Sequence, residues 1–212
     1  MSKYISCPIL VLLFWGFSLL GVLIEGVFCL IRYKHWETHT VTLWGPFCII
    51  YGMGATCFYI GSVCFEDADI IIKFLIFSIM ATVIEYLSGF LLKYGLRMKA
   101  WDYSKVPFNF QGIICVRYSI VWGLAGVAFA QICSPYIKYL SLMLDNNVFN
   151  LICAALSAIM AIDLLWTFIC IVRWSGRHRG IPAQNALARY IDKKYDDSKM
   201  SQRFCEWEFI DF

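Results

Sequence analysis

Charged residues are scarce in this chain: Asp, Glu, Lys and Arg make up 16% of its 212 residues, against about 25% in a typical soluble domain. The formal net charge of +3 is too small to indicate a nucleic-acid partner. The ten cysteines include no CxxC pair and no Cys/His array with the spacing of a zinc site. The sequence therefore predicts no metal site, no cofactor and no nucleic-acid binding.

Two catalytic signatures are also missing. A phosphate-binding loop of the form GxxxxGK(S/T) is absent, so the chain is not expected to hydrolyse ATP itself. No Ser–His or Cys–His arrangement is recognisable, because His35 and His39 fall in a predicted loop and His178 in the tail. These absences leave open whether the chain is an enzyme.

The apolar residues are concentrated in five long runs. Hydrophobic side chains make up 60% of the chain, and each run has roughly the 20 residues that cross a bilayer core. Inside lipid the backbone must satisfy its own hydrogen bonds, so these runs are predicted to be helices. The predicted fold is an all-α membrane protein, a bundle of five transmembrane helices. The runs are residues 8–31, 43–64, 70–92, 112–133 and 148–172.

The charges between the runs predict an orientation. The linker at 65–69 holds three acids and no Lys or Arg, whereas the linker at 93–111 holds four basic residues. Lys and Arg mark the cytoplasmic side of a membrane. The N-terminus, with only Lys3, is therefore predicted outside and the C-terminus inside, in a multi-pass protein of the cell membrane.

The same pattern divides the chain into two parts. Residues 1–172 form the predicted transmembrane domain, and residues 173–212 form a short, basic cytoplasmic tail. A helix is predicted within the tail over 183–200, with Pro182 near its start.

Three acidic residues lie inside predicted helices: Glu25, Glu85 and Asp163. At 1.5 Å per residue they lie roughly 9–14 Å from the cytoplasmic helix ends, in one layer that Arg117 also enters. Charges within a membrane are costly and are usually paired or functional. Each acid is therefore either a site residue or a structural partner of Arg117. One arginine cannot neutralise three carboxylates, so at least one must be protonated, hydrated or bound to a cation.

The linker after the third run is rich in aromatic and hydrogen-bonding residues. Pro107 and Gly112 predict a fixed turn that dips towards the membrane. Asp102 and Asn109 are candidate site residues or loop organisers, with Tyr103 beside them. We expect Glu25, Glu85 and Asp102 to line one cavity that faces the cytoplasm, with Asn109 at its rim. The linker reads Trp101-Asp102-Tyr103-Ser104, then Pro107-Phe108-Asn109, then Gln111-Gly112.

Four motifs stand out together: Gly45-Pro46-Phe47-Cys48-Ile49-Ile50-Tyr51-Gly52-Met53-Gly54, Glu85-Tyr86-Leu87-Ser88-Gly89, the linker motif just described, and Trp122-Gly123. They resemble the bacterial membrane family of ABC-transporter permeases, type IV or CmpB-like, over roughly residues 11–140. Gly45-Pro46 is expected to open the second helix, and Tyr51 within that helix is a further binding candidate. Glu25 resembles the family's glutamate in the first span. Two positions depart from the family's pattern: Ala100 stands where a larger residue is usual, and His39-Thr40-Val41 replaces an Asn-Arg-Gly stretch.

The resemblance implies a permease subunit that moves a small solute. A separate ATPase subunit would dock on its cytoplasmic loops, and five spans are few for a transport path, so a homo- or hetero-oligomer is expected. Two alternatives stay open: an intramembrane enzyme that acts on a lipid or isoprenoid group with its carboxylates, and a non-catalytic assembly or sensor protein.

Overall fold

The structure is a computed structural model that describes residues 4–34, 36, 40–144 and 146–210. Predictions that fall on Lys3, His35 and His39 lie outside these residues. The helices are α1 (Cys7–Tyr33), α2 (Ile49–Cys64), α3 (Ile70–Phe90), α4 (Val116–Met143), α5 (Asn147–His178), α6 (Ala186–Lys194) and α7 (Asp197–Arg203), and α3 continues into a π-helical turn (Leu91–Gly95). The strands are β1 (Met98–Lys99), β2 (Asn109–Phe110), β3 (Ile114–Cys115) and β4 (Glu208–Phe209).

Four of these helices are long and apolar enough to cross a membrane: Cys7–Ile31, Ile70–Gly95, Val116–Met143 and Asn147–His178. The α2 helix is apolar but only 16 residues long. Few strands accompany these helices, and each strand has two residues. The predicted class, an all-α membrane protein, is therefore confirmed.

Several predicted boundaries need correction. The α2 helix begins at Ile49, so Gly45-Pro46 precedes it and does not open it. The α4 helix runs on to Met143, past the end of the fourth apolar run at residue 133. Lys138 therefore lies inside α4 and not in the predicted linker between the fourth and fifth runs. The predicted tail helix is in fact two short helices, α6 and α7, which Asn185 and Asp196 cap by accepting hydrogen bonds from backbone N–H groups.

Close helix packing holds α1 to α4 together around α2. Phe58 of α2 lies edge-on to Phe77 of α3, with ring centroids 5.3 Å apart, and it also contacts Phe129 of α4. A Cβ at Gly126 would fall 2.6 Å from the ring of Phe77, so only glycine allows this approach. Lipid tails are as apolar as these side chains, so tight van der Waals contact is what stabilises the bundle. The α5 helix packs along α1.

At one end of the bundle, three distant parts of the chain meet. The Tyr59 hydroxyl donates to the backbone carbonyl of Tyr4 over 2.8 Å. Lys138 of α4 forms a 2.7 Å ion pair with Glu66 of the linker between α2 and α3, and its ammonium lies over the Tyr4 ring. The N-terminal segment, that linker and the C-terminal part of α4 are therefore on the same side.

The opposite end carries a second core, which we call the cap. Trp174 of α5 is its centre, at 2% exposure, and it packs against Phe204 and Phe209 of the tail. Strand β4 pairs antiparallel with β1, and β1 also contacts the π-helical turn. The cap also buries Leu96, Met98, Cys170, Ile171, Ile191 and Met200.

Ion pairs fasten the cap to the end of α5. Arg173 binds Asp192 of α6 through two hydrogen bonds of 2.8 and 2.7 Å, and Arg177 binds Asp192 and Asp197 over 2.8 Å each. These guanidinium groups lower the pKa of Asp192 to about 2. Because α5 extends to His178, both arginines belong to its last turns.

Candidate functional site

A carboxylate–tyrosine pair joins α1 to α2. The Tyr51 hydroxyl donates a hydrogen bond to Oε1 of Glu25. Gly21, one turn before Glu25, makes room for the ring, since a Cβ there would fall 2.6 Å from Tyr51 ring carbons. In an apolar bundle such a hydrogen bond replaces part of the hydration that the carboxylate loses. Two of the residues predicted for the site are thus in direct contact.

A second pair joins α3 to the linker that follows it. Glu85 is only 4% exposed, and its Oε1 accepts a 2.9 Å hydrogen bond from the Tyr103 hydroxyl. Tyr103 stacks on Tyr118 in the first turn of α4, with ring centroids 4.7 Å apart. The linker therefore folds back against α3.

Trp122 of α4 lies between the two pairs. Its ring contacts Tyr51 edge-on, with centroids 6.1 Å apart, and its indole lies close to the Glu85 carboxylate. The indole N–H does not reach hydrogen-bonding geometry: among the described residues, neither Trp122 Nε1 nor Glu85 Oε2 has a hydrogen-bond partner, and both are buried. A buried polar atom without a partner costs about 1–3 kcal/mol. A cation or a hydrogen-bond donor at Glu85 Oε2 would remove the cost of that atom, whereas the Trp122 N–H needs an acceptor.

These five residues form what we call the central polar cluster: Glu25, Tyr51, Glu85, Tyr103 and Trp122. Sequence reasoning selected all of them except Trp122, which it quoted only within a family motif. A tryptophan inside an apolar run gives no sign of its neighbours, so its position between two tyrosine–carboxylate pairs requires the fold.

Asp163 of α5 is buried outside the central polar cluster, and both of its carboxylate oxygens accept hydrogen bonds. Its two carboxylate oxygens accept hydrogen bonds from the backbone N–H groups of Trp44 and Gly45, over 3.1 and 2.7 Å. Thr167, one turn further along α5, accepts from the N–H of Leu43 and donates to Asp163. Asp163 therefore holds the bent segment before α2 in place and is not part of the central polar cluster.

Arg203 of α7 also binds this segment, through its backbone carbonyl groups. Its guanidinium donates to the carbonyl oxygens of Thr42 and Gly45, over 2.9 and 2.7 Å. Burial lowers the pKa of Arg203, while nearby Asp163 opposes that shift. We call this arrangement the 42–45 clamp. Sequence analysis placed Arg203 only in the basic tail, because nothing in its neighbours indicates a contact with a segment about 160 residues earlier.

Asp102 and Asn109 organise the linker, which was one of their two predicted roles. Asp102 Oδ1 accepts from the N–H of Ser104, and Oδ2 pairs with Lys99 over 3.1 Å. The Ser104 amide above all, with help from Lys99, lowers the pKa of Asp102 to about 2. Asn109 donates to two carbonyl oxygens of the linker and accepts from Gly112 N–H, so both ends of its amide are used.

Two expectations about this region need correction. Asp102 and Asn109 do line one cavity, but Glu25 and Glu85 are not among its lining residues. Arg117 is exposed at the start of α4 and forms no ion pair with any described residue. Its position in the first turn turns it away from the bundle, so an Arg117–glutamate lock does not account for either buried glutamate.

Within the part of the chain that the structure describes, no group of three or more His, Cys, Asp or Glu side chains is placed to hold a metal ion. The arrangement can instead bind small polar or charged groups by hydrogen bonds and carboxylates.

The long apolar helices, together with carboxylates buried between them, define an integral membrane protein. More particularly, the chain belongs to the family described as "Putative ABC-transporter type IV", which matches residues 12–168. The match includes α1 to α4 almost entirely and most of α5, and with them the whole central polar cluster. No solved structure matches the chain.

Proposed function

We propose that this chain is the permease subunit of an ABC transporter, which moves a small solute across the cell membrane with a separate ATPase subunit. The central polar cluster carries this proposal. Ionisable residues within membrane helices commonly mark a substrate or ion path. Here Trp122 of α4 connects the Glu25–Tyr51 pair to Glu85, and one oxygen of Glu85 has no hydrogen-bond partner among the described residues. Family membership supplies the transporter class.

In this proposal α2 provides a fifth crossing. At 1.5 Å per residue its 16 residues span about 24 Å, short of a core of about 30 Å. The looped segment before it, which a 2.8 Å hydrogen bond from Val41 N–H to the Phe47 carbonyl closes, occupies the remaining depth. Irregular backbone is tolerated at membrane depth where protein groups satisfy it, and Asp163, Thr167 and Arg203 do so for residues 42–45.

The end with the N-terminal segment and the 65–69 linker is external in the proposed topology, and the cap is cytoplasmic. The linker between α3 and α4 and residues 173–212 then lie on the ATPase side, while residues 1–172 contain the spans. The excess of Lys and Arg at the cap end supports this orientation. Five spans are few for a transport path, so the proposed permease works as a homo- or hetero-oligomer.

Purification from the native host tests the proposal. The full-length chain, tagged after residue 212, is extracted in mild detergent. We expect a subunit with a GxxxxGK(S/T) loop to co-purify in stoichiometric amount and to hydrolyse ATP in the complex. Glu85→Gln should keep that subunit bound and lower ATP hydrolysis on the order of tenfold, the effect of losing one charged interaction.

Asp67→Asn is the matched control, because Asp67 is exposed in the 65–69 linker and its change should leave hydrolysis unaffected. A chain that purifies without any such subunit refutes the permease proposal. Equal rates of ATP hydrolysis for the Glu85→Gln variant and the unmodified complex would show that the central polar cluster has no part in the proposed permease function.

A further inference from the structure

A cavity of about 630 Å³ opens beside the linker between α3 and α4. Its walls are the end of α3 with its π-helical turn, the linker itself and strand β4 of the tail. The residues that matter for its chemistry are Lys93, Lys99, Asp102, Asn109, Gln111 and Glu208. No residue of the central polar cluster lines it, so a ligand in this cavity does not depend on the proposed permease activity.

The depth of the cavity is that of a membrane interface. Gly89, Leu92 and Lys93 line it, and they close the apolar stretch Ile70–Gly95. Next to it, a ladder of four aromatic rings runs along the outer surface, with successive centroids 5.8, 5.9 and 4.8 Å apart. Aromatic residues concentrate where hydrocarbon meets headgroups. The ladder consists of Phe110, Tyr86, Phe90 and Tyr94.

The charges on the cavity wall are separated into two regions. Lys99 lies between two carboxylates, 3.1 Å from Asp102 and 3.0 Å from Glu208, so this region has one negative charge in excess. Lys93 donates to the backbone carbonyl of Gln111 over 2.6 Å and lies over the Tyr94 ring, 5.7 Å from its centroid, and no described carboxylate pairs with it. The cavity therefore presents an uncompensated ammonium on one side and an excess carboxylate on the other.

We propose that this cavity binds the headgroup of a zwitterionic phospholipid, with the phosphate at Lys93 and the headgroup ammonium at Glu208 and Asp102. A phosphate binds readily to a lysine ammonium as a point charge. The glycerol and acyl chains continue along the aromatic ladder, where Phe90, Tyr94 and Phe110 are about half exposed. An anionic lipid satisfies Lys93 but faces the excess carboxylate, and so binds less well.

The chain contains a matched control for Lys93. Lys73, at the other end of α3, likewise donates to a backbone carbonyl, that of Glu66, over 2.7 Å. Lys73→Gln and Lys93→Gln therefore make the same chemical change at opposite ends of one helix, and only the second removes a charge from the cavity.

Native mass spectrometry of the full-length protein in detergent tests the proposal, with added phosphatidylethanolamine or phosphatidylglycerol. We expect one retained phosphatidylethanolamine per chain. Lys93→Gln should weaken its binding about tenfold, as expected for one charged hydrogen bond, while Lys73→Gln and Lys93→Arg retain it. Glu208→Gln should shift the preference towards phosphatidylglycerol.

Three results would overturn the proposal. The first is equal loss of lipid from the Lys73→Gln and Lys93→Gln variants. The second is equal retention of the two lipids by the unmodified protein. The third is displacement of the lipid by an equal concentration of glycerophosphoethanolamine, which has the headgroup without chains and would assign the cavity to a soluble phosphate ester. Melting temperatures of all variants are recorded, so that Lys93→Arg separates loss of the charge from loss of folding.

Discussion

Asp163 and Glu85 are equally buried, at 4% exposure each, but their carboxylates are in opposite situations. Asp163 accepts backbone hydrogen bonds at both oxygens, whereas Glu85 has one oxygen bound to Tyr103 and one without a partner among the described residues. Burial alone therefore does not separate an anchoring acid from a site acid, because the difference lies in what each oxygen contacts.

A pair of amide substitutions at these two acids tests that difference. Asp163→Asn turns one acceptor into a donor that faces a backbone N–H, so we expect a loss of about 1–3 kcal/mol. Glu85→Gln keeps the acceptor for Tyr103 and changes only the unpartnered atom, so we expect no loss of stability. At about 2–4 °C per kcal/mol for a chain of this size, the melting temperature in detergent should fall for the first variant alone.

Arg117→Met serves as the control, because Arg117 forms no ion pair with the described residues and its loss should leave the melting temperature unchanged. A lower melting temperature for Glu85→Gln that Arg117→Met restores would show that the two residues pair, and would contradict the arrangement described above.

Residue identity in this chain predicted positions better than partners. Glu25 and Glu85 were selected because charges within apolar runs are costly. Tyr51 was selected from a family motif and Tyr103 from the linker beside Asp102, and the fold brings the four residues together. The partners of Asp163 could not be predicted, since they are backbone N–H groups of a bent segment. Every residue except proline offers an N–H, so the side chains at 43–45 carry no sign of the contact.

At the scale of elements, α2 shows where hydropathy stops being informative. The apolar run 43–64 includes Leu43 to Cys48, but those residues form a bent loop instead of a helix. Hydropathy measures the transfer of side chains into lipid. It does not report whether the backbone forms hydrogen bonds within its own helix or with a neighbouring segment. The same holds for α4 and α5, which run past their apolar stretches because the added turns are held by Glu66 at one end and by the cap at the other.

The tail is the element with the clearest test. Deleting residues 204–212 should leave membrane insertion intact, because the apolar helices carry the insertion energy. It should lower the melting temperature, because the deletion removes Phe204, 2% exposed, and the β4 pairing from the cap. Phe204→Ala alone should cost about 3–5 kcal/mol, measured by thermal unfolding in detergent.

Phe65→Ala is the matched change at the other end of the bundle, since Phe65 is 44% exposed, and it should cost less than about 1 kcal/mol. Loss of the shortened chain from membranes at matched expression would contradict the insertion argument. An unchanged melting temperature would show that the cap does not contribute to stability.

At the scale of the whole molecule, the contacts fix which ends lie together, and a labelling experiment decides which end is outside. We expect a cysteine at position 67 to react with an impermeant maleimide in intact cells, and a cysteine at position 99 to react only after the cells are opened. The physical reason is the asymmetry of Lys and Arg between the two ends. Three exposed native cysteines, Cys7, Cys64 and Cys205, are first replaced by serine.

Detergent-opened cells provide the positive control for both positions. Reaction at position 99 but not at 67 in intact cells would invert the proposed topology. Reaction at both in intact cells would place the two linkers on one side and would rule out an odd number of crossings between them.

The class of the whole molecule followed from its sequence, because long apolar runs have few stable solutions in lipid. The cap did not follow from it. Its strands are two residues each, its helices are seven and nine residues long, and its core draws on segments far apart in the chain. Short elements of this kind are stabilised by tertiary packing and not by local propensity.

The 42–45 clamp also has a consequence for biogenesis. Its partners on α5 and α7 lie about 120 and 160 residues further along the chain. At a synthesis rate of about 5–20 residues per second, the segment emerges from the ribosome roughly 6–30 s before the groups that complete its hydrogen bonds. Nascent chains therefore pass through a stage in which the first helices are inserted while these backbone groups still lack their final partners. A chain that stops before Arg203 keeps that defect, because the carbonyl oxygens of Thr42 and Gly45 then lack their guanidinium donor.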